Sequence, residues 1–139
     1  MAEFKLIDAL ESFQALEVKI ASVLMYAGLR VPQYRAMKLL DRFGRLTVSE
    51  LAGRMNVTRA TSSALVAELL RLDFTGKEEN HQDRRSFYVS LTSLGQERII
   101  VAENSLKVLE AGISRALSDE AIRALEELHS YLSPKSGNR

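Results

Sequence analysis

From Val57 to Ala64 the chain reads VTRATSSA, short hydroxyl side chains around a single arginine. No carboxylate occurs between Thr58 and Ala67. A helix that enters a DNA major groove needs such an outer face, because short polar side chains bond base edges and permit close approach. The absence of acidic residues leaves the positive end of the helix free for a phosphate or a base acceptor. Thr58, Arg59, Thr61, Ser62 and Ser63 are therefore candidate DNA contacts. Taken alone, Thr and Ser here read more readily as ordinary helix caps.

A second candidate group follows at Lys77, Asp83, Arg84 and Arg85, three cations and one carboxylate. Asp83 and Arg85 are two residues apart, which puts them on one side of an extended backbone. The carboxylate could then hold the guanidinium in one rotamer, and an oriented arginine suits the narrow, electronegative minor groove. An isolated surface ion pair would be worth only ~0–1 kcal/mol. The two histidines, His81 and His129, are far apart and lack partner motifs, so both read as solvated side chains. With no Gly-rich phosphate loop, metal-ligand cluster or nucleophile motif, the expectation is no enzyme activity, no metal and no cofactor.

The elements that must position these residues can be read from periodicity and caps. Residues 5–27 form an amphipathic helix with Leu6, Leu10, Phe13, Val18 and Leu24 at roughly helical spacing, and Gly28 is its stop. Val31 and Pro32 open a second helix, with Ala36, Met37, Leu40 and Phe43 on its apolar side and Gly44 at its end. Thr47 and Glu50 make a capping box, flanked by Leu46 and Leu51 as a hydrophobic staple, so a third helix starts there and runs to about Met55. Asn56 tolerates the positive φ of a turn. Thr58 caps a fourth helix reaching about Leu72. Its spacing predicts Thr61, Leu65, Leu69 and Leu72 inward, and Arg59, Ser62, Ser63 and Val66 outward.

A short strand is expected around Phe74 to Lys77, weakened by Gly76. Ser86 to Leu91 alternates cleanly, with Phe87, Val89 and Leu91 on one face. Thr92 caps a fifth helix over about Ser93 to Ala116, with apolar Leu94, Ile99, Val101, Leu106, Leu109 and Ile113. Ser118 caps a sixth carrying Ile122, Leu125, Leu128 and Leu132, and Ser133 to Arg139 reads as a frayed tail. Two short helices joined by a tight turn, then a basic hairpin and a new helix start, are the order of a winged helix-turn-helix. The expected fold class is mainly α with a small β-hairpin, in one domain spanning 1–139.

The 139 residues suffice for one domain with a core. No apolar run approaches the ~20 residues needed to cross a membrane, and the acidic, amphipathic N-terminus does not read as a secretory signal. The chain has no cysteine, which excludes disulfides and thiol switches and fits a reducing cytoplasm. Charge is uneven. Residues 30–92 carry eleven Lys/Arg against seven Asp/Glu, while the flanks carry eight against eleven. A basic centre between acidic flanks points to a local polyanion contact.

Taken together, these residues resemble the MarR (multiple antibiotic resistance regulator) family of bacterial transcription regulators. The wing signature of that family is matched at Asp83, Arg85, Val89, Leu91, Thr92 and Gly95, and LTVSELAGRMNVTRAT matches its helix-turn-helix. The resemblance implies a winged helix-turn-helix lobe over 30–95 with dimerisation helices at 5–27 and 93–132. The implied partners are double-stranded DNA and a second copy of the chain. A homodimeric repressor would place two recognition helices in major grooves ~34 Å apart on a pseudo-palindrome. The apolar stripes of the terminal regions agree, since one small winged helix could not cover them. Relatives bind small aromatic or anionic effectors, for which Phe13, Tyr26, Arg30, Tyr34 and Met37 are the candidate pocket here. Three positions depart from the family pattern: Ala64 where many relatives carry Arg or Asn, Asp73 in place of Gly, and the acidic Glu78-Glu79 in a usually basic strand. A winged-helix protein-interaction module that binds DNA weakly or not at all is the alternative reading.

Overall fold

The computed structural model describes residues 2–133; Met1 and the expected tail over 134–139 lie outside the described residues. The chain divides into two compact units after Leu106.

The first unit begins with helix α1 (Leu6–Leu24) and a 3-10 turn over Met25–Ala27, closed by Gly28 at φ 69°. That left-handed conformation favours glycine, and it lets the Leu29 amide return to the Leu24 carbonyl at 3.1 Å. Helix α2 (Val31–Phe43) follows, with Pro32 in its first turn, then strand β1 (Arg45–Thr47) and helix α3 (Val48–Met55). Both halves of the Thr47–Glu50 capping box are present, at 3.1 and 3.0 Å. Asn56 takes φ 56°, and its turn returns the Val57 amide to Ala52 at 3.0 Å, so helix α4 (Arg59–Arg71) can start at once. Asp73 adopts φ 60° at the exit of α4, where the Phe74 amide reaches back to Leu69. This six-to-one closure normally uses glycine; a short Asp side chain tolerates it at some energetic cost.

Strands β2 (Thr75–Glu79) and β3 (Phe87–Leu91) form the wing, and the sheet order is β1-β3-β2, antiparallel throughout. The hairpin read from sequence is thus a three-stranded sheet. Strand β1 escaped notice because three residues are too few for a period, yet Leu46 pairs opposite Val89 and both are buried. Strand β2 also runs two residues further than the spacing predicts. Glu78 and Glu79 lie in register with Tyr88 and Phe87, so the acidic pair sits within the paired part of the strand.

The core gathers Leu24, Leu29, Met37, Leu40, Leu51, Leu69 and Val89. The face of α4 differs from the sequence reading. Ser62 and Val66 are buried beside Leu65 and Leu69, whereas Thr61 and Leu72 are exposed. Positions 62, 65, 66 and 69 form an i, i+3, i+4, i+7 stripe; a serine within it disguised the pattern. Helix α5 (Ser93–Ala116) is capped as expected by Thr92, whose Oγ1 accepts from the Gly95 amide at 3.1 Å. Within this unit α5 buries Gly95, Ile99, Ala102 and Leu106, while Leu94 and Val101 face outward.

The second unit holds the end of α5 and helix α6 (Asp119–Leu132). Ser118 caps α6 by accepting from the Ala121 amide at 3.1 Å. No residue of α6 is buried, and Leu125 and Leu132 are 46% and 65% exposed.

Candidate nucleic-acid interface

The first turn of α4 is set by Thr58, whose hydroxyl accepts from the Thr61 amide at 3.1 Å and lies 3.0 Å from the Thr61 hydroxyl. No acidic side chain enters that turn. Arg59, Thr61, Ser63 and Ala64 are all exposed. Ser62 is not: its side chain is fully buried and donates to the Val48 carbonyl at 2.9 Å. The bond adds one tie between α4 and the start of α3, so Ser62 is used inside the lobe and cannot present its hydroxyl to a base. It is withdrawn from the candidate contacts for that physical reason.

The wing tip is a built structure centred on Asn80, which sequence reasoning passed over as loop polarity. Asn80 is only 8% exposed. Its Oδ1 accepts from the amides of Gln82 and Asp83 at 3.1 and 3.3 Å, and its Nδ2 donates to the Ser86 hydroxyl at 3.1 Å. An Asx side chain bonding the backbone two residues ahead is a turn-forming device, and an Asn six residues before Ser86, just ahead of β3, was the available signal. The backbone here is a turn, not extended as the Asp83–Arg85 argument assumed. The pairing survives by another route. Asp83 Oδ1 accepts from the Arg85 amide at 3.1 Å, and Arg85 Nε approaches the same oxygen at 3.5 Å. Arg85 itself is 95% exposed, aimed but solvated.

Arg59 and Arg85 line one cleft of about 490 Å³ between the start of α4 and the wing, with Ser49, Glu50 and Asn80. Arg59 also borders a second cleft of about 250 Å³ with Ser63, Lys77 and Phe87. Of the sequence-predicted cations of α4 and the wing, Arg59, Lys77 and Arg85 are thereby brought to these two clefts, and Arg84 lines neither. Lys77 lies 4.5 Å from the centre of the Phe87 ring. Arg84 is exposed at the tip.

The acidic pair is partly offset. Arg45 of β1 stacks on Tyr88 at 4.1 Å and reaches the Glu78 carboxylate at 3.4 Å. Glu79 lies 4.0 Å from His81, both well exposed. Arg45 was missed because the strand carrying it was missed.

The candidate effector residues sit in different settings. Phe13 is 40% and Tyr26 84% exposed, Arg30 is ion-paired with Glu68, and Tyr34 borders a cleft along α2. Met37 is fully buried, so a ligand could reach it only by opening the core. His129 is exposed, 3.3 Å from the Ser133 hydroxyl.

The MarR family model matches residues 29–87, which span α2, the helix-turn-helix and most of the sheet. The chain is 29% identical over 111 residues to the uncharacterized HTH-type transcriptional regulator YfiV of Bacillus subtilis, covering 78% of this chain and 68% of that protein. It is 34% identical over 74 residues to the HTH-type transcriptional repressor YetL of Bacillus subtilis, covering 52% of this chain and 44% of that protein. Its fold resembles the crystal structure of an E. coli MarR mutant complexed with operator DNA, with a TM-score of 0.80 at 17% identity over 87% of each chain.

Proposed function

Because this chain belongs to the MarR family of transcriptional regulators, we propose that it works as a homodimeric repressor on a pseudo-palindromic operator. In this reading α4 enters the major groove and the wing follows the adjacent minor groove. Arg59, Thr61 and Ser63 make the helix contacts, with Thr58 ordering the first turn. Lys77, Arg84 and Arg85 make the wing contacts, with Asp83 orienting Arg85. The observation that carries the reading is the meeting of Arg59 and Arg85 in one cleft beside a helix start without carboxylates. Ala64 offers a methyl group to thymine and no hydrogen bond, so base selection rests on its neighbours.

The homodimer is supported by apolar side chains left in solvent. On α1, Leu6, Ile7, Leu10 and Val18 are 50–76% exposed. On α6 of the second unit, Leu125 and Leu132 are likewise open. Such exposed apolar stripes mark association surfaces. Two copies joined through these helices would offer two recognition helices at once. Phe13, Tyr26, Arg30 and Tyr34 remain the surface a small aromatic or anionic effector would touch in releasing DNA, by favouring one of two dimer geometries.

Fluorescence anisotropy against the upstream DNA of the protein's own gene tests the reading. Arg59→Ala should weaken binding by tenfold or more while sedimentation still reports a dimer. Unchanged DNA affinity would favour a protein-interaction role for the lobe instead.

A further inference from the structure

A further cleft of about 520 Å³ runs along α2 to the end of α3, bordered by Tyr34, already named for the effector surface, and by Arg35, Lys38, Asp41, Arg42 and Arg54. It shares no lining residue with either cleft beside α4. Lys38 is engaged with Glu103, which raises its pKa above the ordinary 10.5. Arg35, Arg42 and Arg54 have no ion-pair partner among the described residues. Against the single carboxylate of Asp41, they leave the cleft with an excess of two positive charges.

Two of these guanidiniums converge on one ring. Arg54 lies 3.7 Å and Arg42 5.2 Å from the centre of Phe43. Each sits in the last turn of its helix, where the dipole welcomes a cation. The dipoles account for one cation per helix, but not for two forks gathered on a shared ring beside an open cleft. Like charges so placed repel, and an anion set between them relieves the repulsion. Stacking on Phe43 restricts both forks beforehand, so less rotamer freedom is lost when they grip a planar or tetrahedral oxyanion. The volume falls within the range of small-ligand sites.

We propose that this cleft is an oxyanion site in which Arg42 and Arg54 grip a phosphoryl group, with Arg35 as the third cation. The phosphoryl group has two sources, a free phosphate-bearing small molecule or a DNA backbone phosphate, and both use the same bidentate chemistry.

Thermal unfolding with inorganic phosphate replacing chloride at constant ionic strength reads the first source. Wild-type protein should gain about 5 °C at ten times the dissociation constant, saturably. The Arg42→Gln/Arg54→Gln double variant should lose that gain, and Asp41→Asn should strengthen it without removing a cation. The salt dependence of binding to non-specific duplex reads the second source. There the double variant should lower the slope of log affinity against log salt by about 2 per protomer. A saturable phosphate effect lost in the variant, or a lowered slope, upholds the site and names its source. Equal phosphate response in wild type and both variants, together with an unchanged slope, overturns it.

Discussion

Substituting Gly95 by Ala tests how the wing is locked to α5. A β-carbon at Gly95 would lie 2.1 Å from the Phe74 carbonyl oxygen, 3.0 Å from its carbon and 3.2 Å from Leu91 Cδ2. Ordinary contact is about 3.5 Å, so helix and carbonyl must part by more than 1 Å, on the order of a bond length. The carbonyl cannot simply turn aside, because it accepts from the Thr92 amide at 3.1 Å. Nor can the helix start slide freely, because Thr92 Oγ1 donates to the Asp73 carbonyl at 2.6 Å and accepts from the Gly95 amide. Weakening two such bonds costs about 1 kcal/mol each, and overpacking adds roughly 1–3 kcal/mol. The better helix propensity of Ala returns about 1 kcal/mol. The expected net loss is about 2–4 kcal/mol, or roughly 10 °C in Tm for a chain of this size. The control is Gly53→Ala in α3, where an added β-carbon meets nothing within 4 Å; it should stabilise by about 0.5–1 kcal/mol. Urea unfolding followed by far-UV circular dichroism, at one fixed protein concentration, compares the two. A Gly95→Ala protein as stable as wild type would refute the claimed contact between the α5 start and the strand entry.

Ser62→Ala should lower stability by about 1 kcal/mol through loss of the bond to Val48, yet leave operator affinity within twofold; a large loss of affinity at unchanged stability would restore Ser62 as a base contact. Glu78→Gln should raise DNA affinity by roughly threefold at low salt, an advantage that fades at high salt, because it removes a carboxylate that Arg45 offsets only in part. The Lys38–Glu103 pair sets a pH expectation. The pKa of Lys38 is raised in the folded state, so its contribution is complete below 10.5 and is lost as pH climbs through the folded value. Glu103→Gln should therefore narrow the alkaline stability range and leave the profile between pH 6 and 9 unchanged in shape, as pH-dependent denaturation would record.

Most of the elements were legible because their ends carry local chemistry. The Thr47–Glu50 box, Asn56, Thr58, Thr92 and Ser118 act through bonds within four residues, and these short-range signals survive into the structure. What failed depends on partners distant in sequence. Strand β1 exists because β3 lies beside it, and no property of Arg45-Leu46-Thr47 announces that. Ser62 reads as polar and outward until Val48 offers it a carbonyl. At the interface, Arg59 and Arg85 could each be picked by type, but their shared cleft needs the wing to fold against α4. Asn80 was legible in principle, as an Asx turn-former, and was overlooked within a run of polar residues.

The central claim is that Arg59 and Arg85 form one DNA-reading surface, and the salt dependence of operator binding tests it most directly. Wild-type affinity should fall steeply and linearly with log salt, and Arg85→Ala should weaken binding by about tenfold and lower the slope by about 1 to 2. An affinity flat between low and physiological salt, or a slope indifferent to Arg85, would contradict it.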